Sequence, residues 1–345
     1  MKKNNENIPR CASFFFFMIM PFVIMTLVVV PKIVAQPSIS LSLSYPMPAG
    51  GFHGQGYTFF AKAVAEESNG EIKINTFPAR SLVGDPEALD AVMRGNVDIV
   101  NFMVAYVSPT IKELTPFEIP GAYPGNRFKA LETETHPIVE KIFAKYDLKY
   151  LGVNNQETIT FAAYKKFGRP IKTPSDLVGL TVRTPGKWGG ESIKMWGGSP
   201  VTVSLGDLSS SLDRGTIKVC YTGWIITGPF KLYEPAPYIT MTNLQEMLCG
   251  LVMSKKAWTG LTISQQAAIQ RATKRWMAFS NQLSGKLKQK FQKQVIQSGG
   301  TIYHLTPSEN DAFKSITQPL LDEVAKISGS EGKELLDIFA ELRKQ

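Results

Sequence analysis

One arginine in this 345-residue chain stands where charge chemistry is most easily arranged. Arg183 follows the short apolar run Gly179-Leu180-Thr181-Val182 and precedes Thr184-Pro185-Gly186, residues that end a strand. The segment holding Ile193 and Met195 then reads as a short helix. A second strand-like run, Val201-Thr202-Val203, and a helix start near Gly206-Asp207 follow. The whole is a βαβ unit. Open α/β sheets bind ligands at the carboxyl ends of their strands, and a guanidinium is a permanently charged fork that matches a carboxylate. The same placement suits a surface arginine in a solvated turn, and spacing alone leaves both readings open. Trp188 follows closely enough to cover a ligand held there. Thr222 and Trp224 lie in the turn Tyr221-Thr222-Gly223-Trp224, after the strand-like Val219-Cys220-Tyr221. Phe52 and His53 sit in a glycine-rich loop near the start of the chain. Met103 belongs to the stretch Phe102 to Tyr106, which emerges from the apolar run beginning at Val97. For Trp224 and Phe102 the alternative is plain aromatic core.

These residues need a scaffold that alternates strands and helices. Ile39 to Tyr45 alternates apolar residues with serine and reads as a first or edge strand. The glycine-rich loop leads to a helix over Tyr57 to Ser68, and the loop's backbone N–H groups are placed to approach a ligand from that helix's amino end. Glu71 to Phe77 is a strand. Pro86 to Arg94 is a helix with Asp85 as its N-cap. Val97 to Val104 is a buried strand, Asn126 to Tyr146 is largely helical, and Tyr150 to Val153 is a strand. Thr158 to Tyr164, Pro235 to Met241 and Met247 to Met253 read as further strands. From Ser264 to Ser298 there is no proline, and apolar residues recur at three- and four-residue steps, giving one helix on the order of 50 Å long, or two broken at Gly285. The fold class is therefore α/β. Two crossings between lobes divide the chain into 36–157 plus 245–284 and 158–244 plus 285–345, with a hinge between them.

Composition narrows the function. The net charge of +9 falls to +6 when the first 35 residues are set aside. Its densest basic stretch, Lys286 to Lys290 with Lys293 beyond, lies on the long helical pattern and reads as a solvated face, so nucleic acid is not indicated. A positive balance suits small anionic ligands. The glycines at 50, 51, 54 and 56 do not make the dinucleotide spacing G-x-G-x-x-G. Nucleophile-elbow, zincin, P-loop and paired-cysteine patterns do not occur, and His53, His136 and His304 are scattered, so neither a cofactor nor a metal is expected. Lys2, Lys3 and Arg10 precede an apolar run of about 19 residues that holds Pro21 and is followed by Ile33-Val34-Ala35. This reads as a cleaved secretory signal over residues 1–35, with a membrane anchor as the alternative. Cys220 and Cys249 either pair in an oxidising compartment or stay as buried thiols.

The stretches PSDLVGLTVRTPG and MWGGSPVTVSLGDLSSSLDRG resemble the signature region of the periplasmic solute receptors of TRAP transporters, which serve organic acids. Other blocks agree in order: Phe77-Pro78 with Gly84, Asp85 to Ile99, Thr115 to Pro120, and Met253-Ser254 to Trp258. The resemblance covers about residues 38 to 330. It implies a two-lobed, periplasmic-binding-protein-like fold with one long helix spanning both lobes, and a binding protein rather than an enzyme. It also implies integral membrane permease subunits as partners, a carboxylate held by Arg183, and ligand contacts on the turn at Thr222 and Trp224. The chain departs from the family where Ile217-Lys218-Val219 replaces Val-Asp-Gly. It also lacks a second arginine in Thr160 to Tyr164, which argues against sialic acid and weakens a dicarboxylate. Trp188 and Trp224 then point to an apolar or aromatic monocarboxylate.

Overall fold

The computed structural model describes residues 39–344 apart from Asn126; the side chains of residues 85–86 and 155–157 also lie outside the description, as does the expected signal segment at residues 1–35. Nine strands form one mixed sheet: β1 (Ile39–Ser44), β2 (Ile72–Phe77), β3 (Ile99–Met103), β4 (Leu148–Ala163), β5 (Thr181–Arg183), β6 (Ser199–Val201), β7 (Val219–Thr222), β8 (Tyr238–Ser254) and β9 (Thr301–His304). Their order is β2-β1-β3-β8-β4-β7-β5-β6, with β9 on β8. The helices are α1 (Phe52–Glu67), α2 (Asp85–Met93), α3 (Val104–Val107), α4 (Phe128–Ala144), α5 (Lys187–Met195), α6 (Leu208–Asp213), α7 (Trp224–Thr227), α8 (Lys255–Thr259), α9 (Ile263–Gln297), α10 (Pro307–Thr317), α11 (Pro319–Ile327) and α12 (Gly329–Lys344). The fold is α/β and two-lobed, and among the described residues no helix is long and apolar enough to cross a membrane.

Two long strands link the two ends of the sheet. β4 and β8 pair antiparallel from Leu148↔Ser254 to Ala163↔Tyr238. Their outer halves join β3 on one side and β7 with β9 on the other. The sequence suggested four separate strands here, because the polar residues between the apolar runs look like breaks. The structure runs straight through them, with register shifts near Gly152 and Thr158. Gly250 permits the close approach: a Cβ there would stand 2.2 Å from the carbonyl oxygen of Gly152. β1 is not an edge, since it pairs with β2 on one side and β3 on the other.

The long helix is continuous. Thr262 and Gln265 form a reciprocal capping box at the start of α9, so two orphan N–H groups are satisfied. Its 35 residues run through Gly285 without a break. In its first half Arg271 and Arg275 pair with Glu66 and Glu67 of α1, and Phe279 stacks on Phe59 at 4.3 Å. Towards its far end Phe291 closes on Gly228 beyond α7. Two further corrections are local. α2 starts at Asp85 with Gly84 as its N-cap, so Asp85 is inside the helix. Cys220 and Cys249 are both buried and are not joined in a disulfide, which removes the disulfide reading. Near the C-terminus, α11 and α12 pack with α4 and the 3₁₀ segment Lys112–Glu118 around Leu320, Leu335 and Phe339.

Candidate functional site

Arg183 is the last residue of β5 and is 3 % exposed. Parallel pairing with β7 sets it opposite Cys220, and the period of two puts Thr222 on the same face of the sheet. The Arg183 Nε donates to the carbonyl of Val203 at 3.4 Å. The Cys220 thiol lies beside it. Burial lifts that thiol to about 11, against the pull of the guanidinium. No carboxylate among the described residues forms an ion pair with Arg183. A desolvated guanidinium without an anion is expensive to maintain, because burial removes water and only a charged partner restores the loss.

The chain reaches Leu205 two residues past Val203, and Leu205 lines a cavity of about 220 Å³ together with His53, Asn101, Met103 and Tyr106. Met103 also borders a second cavity of about 20 Å³, walled by Glu118, Thr184, Tyr221, Gln245 and Glu246. The two cavities thus flank Met103, where β3 ends and the segment after β5 arrives. The structure brings His53 and Met103 together in the larger cavity and sets Arg183 and Thr222 at adjacent strand ends.

Phe52, Trp188 and Trp224 are packed away, and His53 is buried even where it borders the larger cavity. α1 begins at Phe52, so Phe52 and His53 are helical and buried rather than parts of an open loop. His53 Nδ1 lies 3.3 Å from the Tyr57 hydroxyl, which accepts from Asn101 Nδ2 at 2.6 Å. Burial pulls His53 down to about 4, so its imidazole is neutral. Trp224 is fully buried, with its indole N–H directed to the Met241 sulfur at 2.8 Å. Trp188, from α5, is buried in the cluster that holds Val104 and Phe117.

Several polar groups at the lobe junction were not singled out from sequence. Asn154 Oδ1, Tyr221 Oη, Thr222 Oγ1 and Gln245 Oε1 are buried without a hydrogen-bond partner among the described residues. Gln245 commits its Nε2 to the carbonyl of Phe117, so its free oxygen can only accept. A ligand able to hydrogen-bond would satisfy such groups, which otherwise carry a desolvation penalty. Asn154, Gln245 and Glu246 interrupt apolar strand runs, and that interruption was the available signal.

Residues 43–327 match the family model of the bacterial extracellular solute-binding proteins, family 7. Among curated relatives, the C4-dicarboxylate-binding periplasmic protein DctP of Rhodobacter capsulatus is 21 % identical over 304 residues, covering 86 % of this chain and 89 % of its own. Among solved structures, a Bordetella pertussis extracytoplasmic solute receptor binding pyroglutamic acid superposes with a TM-score of 0.80 at 23 % identity, covering 89 % of this chain and 100 % of its own. A TRAP periplasmic solute-binding protein of Chromohalobacter salexigens with bound d-glucuronate gives a TM-score of 0.80 at 21 % identity, covering 88 % and 100 %. The chain belongs to the family-7 bacterial extracellular solute-binding proteins.

Proposed function

We propose that this chain is a periplasmic receptor that holds an organic acid anion between its lobes, with Arg183 as the carboxylate's partner, and delivers it to the membrane permease of a TRAP-type transporter. One observation carries the reading: Arg183 is 3 % exposed at a strand's carboxyl end and has no ion-pair partner among the described residues. A ligand carboxylate supplies the missing charge. Residues 1–35 then serve as the export signal. The hinge lies where β4 and β8 cross, so the lobes are 36–157 with 245–284, and 158–244 with the chain from 285. The helices α11 and α12 are better assigned to the first lobe, because they pack on α4.

The buried polar atoms without partners favour a polar acid. An apolar or aromatic monocarboxylate drew its support from Trp188 and Trp224, and both are packed in cores. Free hydrogen-bonding atoms on Asn154, Tyr221, Thr222 and Gln245 take their place. The structural relatives named above carry d-glucuronate and pyroglutamic acid. A melting-temperature screen of the protein against d-glucuronate, pyroglutamate, succinate, benzoate and phenylacetate tests the reading. A ligand at a hundred times its Kd stabilises the folded state by about 2.7 kcal/mol. Polar acids should raise the melting temperature. A rise with benzoate or phenylacetate alone restores the aromatic reading.

A further inference from the structure

Glu118 is a buried carboxyl that the anion site does not use. It ends the 3₁₀ segment Lys112–Glu118 in the first lobe and is 2 % exposed. Part of its cover comes from the second lobe. A Cβ added at Gly186, in the turn just after Arg183, would stand 2.7 Å from Glu118 Oε2 and 2.9 Å from Ala105 Cβ. Gly186 has φ +72°, and its backbone lies directly on the carboxyl and on the Ala105 main chain. Together with Thr184, Pro185 and Gly189, this turn shuts the 20 Å³ cavity over Glu118. That volume admits about one water molecule.

We propose that Glu118 is a proton-binding site completed by closure, so that the receptor takes up a proton as its lobes shut. The inference rests on the two-lobed receptor reading above, and takes the lobes to open and shut about the hinge at β4 and β8. Opening would separate the 184–186 turn from Glu118 and return the carboxyl to water, where it ionises at ordinary acid pH. Closing removes that water. The charged groups facing it do not compensate. Ser108 Oγ donates to Oε1, and Lys187, at the start of α5, attracts the carboxylate from a distance. Glu246 on β8 and the Tyr221 hydroxyl on β7 line the same cavity and add no positive charge. No ion pair to Glu118 is formed among the described residues. Burial accordingly lifts its carboxyl to about 7, with Ser108 and Lys187 opposing.

The sign follows from linkage. The shut form binds a proton up to about pH 7, while a solvated carboxyl releases its proton near 4.5. Closure is therefore hindered at pH 8, where Glu118 must be buried charged, and is eased as the pH falls. Between pH 8 and pH 5 the shut form gains on the order of 50-fold over the open one.

Two spin labels on Lys129→Cys and Lys166→Cys, exposed positions on the first and second lobes, report the lobe separation in the ligand-free protein. Cys220 and Cys249 are buried and stay unlabelled. The distance distribution should shift to the short, shut population as the pH is lowered from 8 to 5. Glu118→Gln should be shut to the same degree at both values. Ser108→Ala removes a bond that favours the charged form and should move the transition to higher pH. A distribution that ignores pH overturns the proposal, and so does a pH response that survives in Glu118→Gln. No ligand enters the experiment, so its result is independent of whether Arg183 holds a carboxylate.

Discussion

Gly186→Ala separates what the 184–186 turn contributes to folding from what it contributes to closing. The glycine has φ +72°, a region that costs an L-residue about 1 kcal/mol. That strain is local to the turn and is present whether the lobes are open or shut, so it lowers the melting temperature without altering affinity. The new methyl group adds a second effect in the shut form only. It would lie 2.7 Å from Glu118 Oε2, 2.9 Å from Ala105 Cβ and 3.1 Å from the Ala105 carbonyl oxygen. The carboxyl can swing aside, but Ala105 has no rotamer to change and its carbonyl is main chain. Forcing a methyl group into such a contact costs about 1–3 kcal/mol, equivalent to about a 5- to 150-fold loss of affinity. Calorimetric titration with the acid that most raises the melting temperature, with melting curves for both proteins, measures the two effects separately. Binding by Gly186→Ala within about twofold of wild type refutes the idea that this turn presses on the first lobe during closure.

Two further outcomes follow from individual positions. Gly285 lies inside α9 with nothing within 4 Å of an added Cβ, so Gly285→Ala should stabilise the protein by about 0.5–1 kcal/mol; a lowered melting temperature would mean that the helix needs flexibility there. Burial holds His53 near 4, below its ordinary 6.5, so the folded state refuses a proton that the unfolded chain accepts. Stability on this account is intact above pH 6.5 and is lost as the pH falls towards 4, by about 2–3 kcal/mol at pH 4.5. Urea unfolding at pH 7 and pH 4.5 should show that loss reduced in His53→Gln, and equal losses in both proteins would contradict it.

Much of the scaffold was legible because local signals agreed with the fold. Arg183 is followed by Pro-Gly at a strand end, and the structure puts it there. The length of α9 was readable from the missing prolines and from recurring apolar residues, and Thr262 with Gln265 fixes its start. Continuity of β4 and β8 was not readable, since the polar residues near 154 and 245 separate the apolar runs and mimic loops, and only pairing with the partner strand shows each as one continuous strand. The tryptophans illustrate a different limit. Sequence places Trp224 after a strand and Trp188 after Arg183, but whether an indole lines a cavity or fills a core depends on what packs against it. Trp224 meets Met241, and Trp188 meets the opposite lobe. Glu118 was invisible as a titrating group for the same reason, because part of its cover comes from the turn at Gly186, far away in sequence.

The most direct test is the affinity of Arg183→Ala and Arg183→Lys for the acid found by the melting screen, measured by calorimetric titration alongside unfolding curves. If a carboxylate rests on Arg183, removing the guanidinium leaves a buried anion uncompensated at about 3–5 kcal/mol. Affinity then falls by a hundredfold to several thousandfold. Arg183→Lys should lose nearly as much, because a flexible point charge does not reproduce the fork. Both variants should remain folded, with unfolding curves close to wild type. Binding by Arg183→Ala within about threefold of wild type would contradict the account at its centre.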